Sequence, residues 1–260
     1  MRIVVKVGTS TLAHTGGRLN IRRVEQLCKV LSDLKNAGHQ VVLVSSGAIG
    51  MGVGKLGLSG RPGDMPGKQA AAAVGQCELM YTYDKLFSEY SHTVAQILLT
   101  AEDIQDPRRS GHVHDTLERL LQWGALPVIN ENDAVAIDEI GIQTTIGEND
   151  TLSAVVAKLV GADLLILLSD IDGLYTADPR VDTAATLIPV VEKITPQLEA
   201  LAGGAGSGLG SGGMATKLRA AGIVMEAGID MVIANGEEPE LLYALFEGHS
   251  VGTRFIGRKD

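Results

Sequence analysis

A chain of 260 residues is long enough to bury a substantial core, as one large α/β domain or two small ones. Apolar residues at 45% and charged residues at 20% are ordinary for a globular protein, and no uninterrupted apolar run approaches the roughly 18 residues of a membrane-spanning helix. A formal charge of −9 argues against a general nucleic-acid surface and makes any basic cluster local. Aromatics reach only 3%, so the core has to be built from Val, Ile, Leu and Ala.

The chain opens on an apolar run, Ile3-Val4-Val5, which leaves no room for a signal peptide. Asn20 is placed to cap a helix whose apolar residues Ile21, Val24, Leu27, Cys28, Leu31 and Leu34 form a one-sided stripe. Then a joint appears that recurs four times: a helix ends, a glycine follows, and an apolar strand begins within about three residues. It stands at Gly38 before Val41–Val44, Gly124 before Leu126–Ile129, Gly161 before Leu164–Leu168, and Gly228 before Met231–Ile233. Further helices are predicted at about Lys68–Tyr90, Thr116–Trp123, Thr151–Val160, Thr216–Ala227 and Pro239–Glu247. The stretches Gly50–Gly67 and Ala134–Gly147 read as excursions from the sheet. Because the strands are continuously apolar, both sheet faces should be covered. The expected fold is a three-layer α/β/α sandwich with a mainly parallel central sheet. Cys28 and Cys77 both fall in helix-like segments, so buried thiols in a reducing cytoplasm are expected rather than a disulfide or a metal site.

In such sheets the ligand lies beyond the carboxyl ends of the strands. Here those ends are polar: Lys6-Val7-Gly8-Thr9-Ser10, Ser45-Ser46-Gly47, Asn130-Glu131-Asn132-Asp133 and Ser169-Asp170. Each has a plainer reading. Lys6 could be an edge lysine reaching to solvent, and the Ser and Asn/Asp runs could be turns. Asn149 and Asp150 could simply cap the helix they precede. His112 and His114 lack a third partner for a metal. Late in the chain, Gly206–Gly213 runs into Met214-Ala215-Thr216-Lys217 at a helix start, a pattern suited to an anion. It is not a P-loop, because no Gly-Lys pair is followed by Ser or Thr. The glycine spacings at Gly208, Gly210 and Gly213, and at Gly52, Gly54 and Gly57, match a dinucleotide fingerprint only weakly. The convergence of polar strand ends points to an enzyme.

Six segments taken in order carry a resemblance. Lys6–Ser10, Ser45–Gly50, Val128–Ala134, Gly147–Ala154, Gly173–Arg180 and Gly208–Lys217 together are similar to the glutamate 5-kinases of the amino acid kinase family. That resemblance implies ATP-dependent phosphorylation of the L-glutamate side-chain carboxylate, with Mg²⁺ held mainly by the nucleotide phosphates. It implies catalytic roles for Lys6, Asp150 and Lys217, and glutamate contacts from Ser46, Asp133 and Asn149. Nucleotide contacts are implied for Lys6, Ser169, Asp170, Ser211, Gly212, Gly213, Met214, Ala215, Thr216 and Lys217. It also implies a homo-oligomer and inhibition by proline. No protein residue is expected to hold a metal alone, and neither nucleic acid nor membrane is an expected partner. Many members continue into a C-terminal PUA domain, whereas this chain ends at Asp260. The expectation is therefore one kinase domain over 1–260, with a substrate-binding part of about 1–160 and a nucleotide-binding part of about 161–260. Other kinases of this fold, acting on acetylglutamate, aspartate or carbamate, and a non-catalytic nucleotide sensor are the alternatives.

Overall fold

A computed structural model describes residues 1–14, 18–136, 149–179, 181–202 and 213–258. Eight strands form one sheet: β1 (Arg2–Val7), β2 (Gln40–Ser45), β3 (Val94–Leu99), β4 (Leu126–Glu131), β5 (Leu164–Ser169), β6 (Val190–Val191), β7 (Asp230–Asn235) and β8 (Thr253–Phe255). Their order is β3-β4-β2-β1-β5-β7-β8-β6. All neighbours run parallel except β7 and β8, which pair antiparallel.

Strand alternation sorts the core into two layers. On β1, Ile3, Val5 and Val7 face one cluster, and Val4 faces the other. The first cluster packs under α2 (Ile21–Asn36) and α4 (Met65–Ser88), with Leu242 and Leu245 of α10 (Leu241–Phe246). The second packs under α6 (Pro107–Gln122), α7 (Asn149–Leu159) and α9 (Met214–Glu226). The architecture is the expected three-layer α/β/α sandwich. No helix among the described residues is long and apolar enough to cross a membrane.

The four helix–glycine–strand joints are all present. Gly38, Gly124, Gly161 and Gly228 have φ of 94°, 73°, 56° and 75°, the left-handed conformation that closes a helix and that a side chain resists. Asn20 caps α2 as expected, its side chain accepting from the Arg23 N–H.

Several boundaries differ from the sequence reading. The stretch Gly50–Gly67, read as an excursion, is helical at both ends, since Ala48–Leu56 forms α3 and α4 begins at Met65. The glycines of α3 obscure that helix but serve its packing against α4. A Cβ on Gly52 would stand 1.8 Å from the Ala71 carbonyl oxygen, and one on Gly75 the same distance from that of Ala48. Gly52 is therefore a helix-crossing residue and not part of a dinucleotide loop. Gly75→Ala pushes backbone against backbone and should cost about 3 kcal/mol, at the upper end for overpacking, read as a lowered thermal midpoint. A midpoint at the wild-type value would show that the crossing yields freely.

Helix α6 starts at Pro107, earlier than the apolar stripe suggests, because Asp106 caps it by accepting from the N–H groups of Arg108 and Arg109. Two short elements, α1 (Thr9–Leu12) and α5 (Ala101–Gln105), follow β1 and β3, and α8 (Pro196–Ala202) precedes α9. The expectation of two buried thiols is half corrected. Cys28 is buried under the sheet, and Cys77 is exposed on the outer face of α4. The second excursion falls mostly outside the described residues, as do Ser211 and Gly212.

Candidate active site

Lys6 shares the parity of Val4, so its side chain leaves β1 towards the layer of α7 and α9. Those two helices begin at the strand-end edge, and each brings a charged residue in its first turns. Asp150 is the second residue of α7, and Lys217 is the fourth of α9. The three side chains meet. Lys6 Nζ lies 2.7 Å from Asp150 Oδ1, and Lys217 Nζ donates to Asp150 Oδ2 at 3.1 Å. The Thr216 hydroxyl also donates to Asp150 Oδ2, at 3.0 Å. Asp150 is 2% exposed, Lys217 4% and Lys6 8%, so water scarcely screens them.

Burial opposes ionisation of the Asp150 carboxyl, but Lys6 and then Lys217 outweigh it and hold its pKa below the ordinary carboxylate value. For Lys6 burial is the largest influence and lowers its pKa. Attraction to Asp150 pulls the other way, Lys217 reinforces the lowering, and Asp170 opposes it.

Asn149, one residue before Asp150, turns to the other side of β1. Its Nδ2 group donates to Ser46 Oγ at 2.8 Å, to the Ser45 carbonyl at 3.2 Å and to Asn130 Oδ1 at 3.1 Å. Adjacent residues of one helix end thus serve two different groups, the lysines and a cluster of uncharged polar side chains. Neither side chain is given over to capping its own helix. Asp133 lies half-buried in the turn after β4. Ser169 and Asp170 close β5, where the Ser169 hydroxyl donates to Asp170 Oδ1 at 3.0 Å. Gly213 to Thr216 enter α9 beside Asp150, and the Thr216 hydroxyl is engaged by Asp150 and the Gly213 carbonyl.

Sequence reasoning missed two participants, Gln76 and Tyr83. Gln76 accepts from Asn130 Nδ2 at 2.9 Å, and the Ser45 and Tyr83 hydroxyls lie 2.9 Å apart. Their signal was faint but real. Gln76 and Tyr83 fall on the buried stripe of α4 with Ala72 and Leu79, where a polar group needs a partner.

The site lies at the carboxyl edge where β1 sits between β2 and β5. Chain connections run to one side of β1 and then return to the other, the switch point at which doubly wound sheets bind ligands. The amino acid kinase family matches residues 1–235, and the chain belongs to that family. Among curated relatives, a protein named glutamate 5-kinase from Clostridium perfringens (strain 13 / Type A) is 53% identical over 258 residues, covering 99% of this chain and 96% of the relative. The protein of the same name from Clostridium tetani (strain Massachusetts / E88) is 57% identical over 253 residues, covering 97% and 93%. Two solved structures share the fold at lower identity. The isopentenyl phosphate kinase of T. acidophilum aligns with a TM-score of 0.67 at 18% identity, covering 98% of this chain and all of that one. The UMP kinase of Bacillus anthracis gives 0.62 at 15%, covering 99% and 96%.

Proposed function

We propose that the chain transfers the γ-phosphoryl group of ATP to the side-chain carboxylate of L-glutamate, giving L-glutamyl 5-phosphate, the first step of proline biosynthesis. The observation that carries the reading is the gathering of two buried ammonium groups on one carboxylate at the switch point, in a chain more than half identical to curated glutamate 5-kinases over nearly its whole length.

The chemistry follows from charge. A glutamate side chain has an ordinary pKa near 4.3, so the nucleophile is already ionised at neutral pH and needs no general base. Its oxygen attacks the γ-phosphorus, the bond to the β–γ bridging oxygen breaks, and ADP departs with that electron pair. The obstacle is bringing an anion up to an anionic nucleotide, and catalysis is chiefly positioning and electrostatic stabilisation. Lys6 and Lys217 supply the positive charge on the transferred group. Asp150 holds the two together through its two carboxylate oxygens. Ser46, Asn149 and Asp133 face the amino acid, with Asp133 matched to its ammonium. Ser169, Asp170 and the segment from Ser211 to Lys217 take the nucleotide.

Among the described residues no group of three His, Cys, Asp or Glu side chains is arranged to hold a metal ion, and Asp150 is already bridged by lysines. The residues fit a Mg²⁺ held mainly by phosphate oxygens, with exposed Asp170 as the carboxylate at that strand end. When bound, that ion neutralises charge on the β- and γ-phosphates. A cytoplasmic location, a single kinase domain divided near residue 160, a homo-oligomer and inhibition by proline complete the proposal.

The test is direct. ADP release should depend on L-glutamate, and hydroxylamine should trap the acyl phosphate as a hydroxamate. Faster turnover with N-acetylglutamate or aspartate would overturn the choice of substrate, and turnover with no carboxylate would overturn the kinase reading.

A further inference from the structure

The amides beside the lysine cluster are oriented by backbone groups that have only one role each. The Ser45 carbonyl can only accept, so the atom of Asn149 against it must be Nδ2. The Glu131 N–H can only donate, so Asn130 turns Oδ1 towards it, at 2.9 Å. That leaves Asn130 Nδ2 facing Gln76, which must present Oε1. The hydrogen-bond network therefore fixes all three amide orientations. Two atoms are left over. Asn149 Oδ1 and Gln76 Nε2 are buried with no hydrogen-bond partner among the described residues.

We propose that Gln76 is a positioning residue for the amino-acid substrate, acting through Asn130 on Asn149. Its carbonyl oxygen satisfies Asn130 Nδ2, a donor on a residue 2% exposed that has no water to turn to. So satisfied, Asn130 keeps Oδ1 on Asn149 Nδ2, and Asn149 keeps its own Oδ1 as the acceptor reserved for the substrate's donors. The fold enforces the reach of this relay. Gly75, next to Gln76, lets α4 press against the start of α3 at Ala48, two residues after Ser46. Without the Gln76 acceptor, Asn130 Nδ2 becomes a buried donor without a partner. Asn130 then rotates to satisfy it, at the expense of Asn149. The nature of the substrate rests on the glutamate reading; the relay itself does not.

The experiment compares wild type with Gln76→Met, which keeps length and apolar bulk but removes the acceptor. With the hydrogen bond from a buried donor lost, the KM for L-glutamate should rise about tenfold, while the KM for ATP stays within about twofold. In an Asn130→Ala background the same change should add nothing, because the path to Asn149 is already cut. On the unliganded protein, the side-chain NH₂ resonances of Asn149 should move in Gln76→Met, whichever acid the enzyme accepts. An unchanged KM for glutamate, an equal rise in both KM values, additive effects with Asn130→Ala, or unmoved Asn149 resonances would each overturn the relay. Wild-type turnover with L-glutamate tests the reading of the reaction separately.

Discussion

Replacing Lys217 with alanine should lower kcat by about a thousandfold, the scale seen when one donor to developing transition-state charge is removed. ATP affinity should fall only several-fold, since the rest of the nucleotide site is untouched. The structure explains why the enzyme should survive the change. Asp150 retains Lys6 at 2.7 Å and the Thr216 hydroxyl at 3.0 Å, so no buried carboxylate is stranded. What disappears is one of the two positive charges proposed to act on the transferred group. Lys217→Arg should recover only part of the loss, because a planar fork cannot occupy the place of a compact ammonium in so closed a site. The measurement pairs single-turnover kinetics with equilibrium binding of ATP. Turnover near the wild-type rate would remove Lys217 from the mechanism.

Much of this arrangement was legible in the sequence, for reasons that can be named. The helix–glycine–strand joints at Gly38, Gly124, Gly161 and Gly228 showed themselves because one backbone conformation demands one residue type. The central strands did so because strands covered on both faces leave no polar position inside them. Lys6 stood out against that background, and parity already placed it on one face of β1. What stayed hidden depends on contacts distant in sequence. β3 at the sheet edge carries an exposed Gln96 and is only half-buried over most of its length, so it lacks the continuous apolar signature. α3 is rich in glycine, which local propensity counts against a helix, yet Gly52 is what the crossing with α4 requires. Gln76 and Asn130 lie 54 residues apart, and nothing local marks them as partners. The apolar pattern reports which face is buried. It is silent on which buried amide meets which.

The same cluster predicts the largest effect on stability, from Asp150→Asn. The amide keeps the shape but removes the charge that Lys6 and Lys217 share, and breaking a buried ion pair from one side costs about 3–5 kcal/mol. For a chain of this size each kcal/mol is worth about 2–4 °C, so the thermal midpoint should drop by about 10 °C at neutral pH, with catalysis lost. The pH dependence carries the sign of the mechanism. Asp150 has a folded pKa below the unfolded value of about 3.9, so its contribution is complete above that pH. It is lost as pH falls through the lowered folded value, where the unfolded chain already holds the proton. The gap between wild type and Asp150→Asn should therefore be wide near neutrality and narrow as the medium turns strongly acid.

Alkaline conditions should narrow the gap as well. In the variant, Lys6 keeps the burial and the Lys217 charge that lower its pKa, and only Asp170 still opposes them. Its folded pKa drops further below the unfolded lysine value of about 10.4, and between the two the unfolded state binds more protons. Stability of the variant then rises with pH across that window more steeply than that of wild type. Thermal melts of both proteins across the pH range test this at both ends. A gap that stays constant from acid to alkali would mean that Asp150 contributes shape and not charge. The electrostatic account of the site would then fail at its centre.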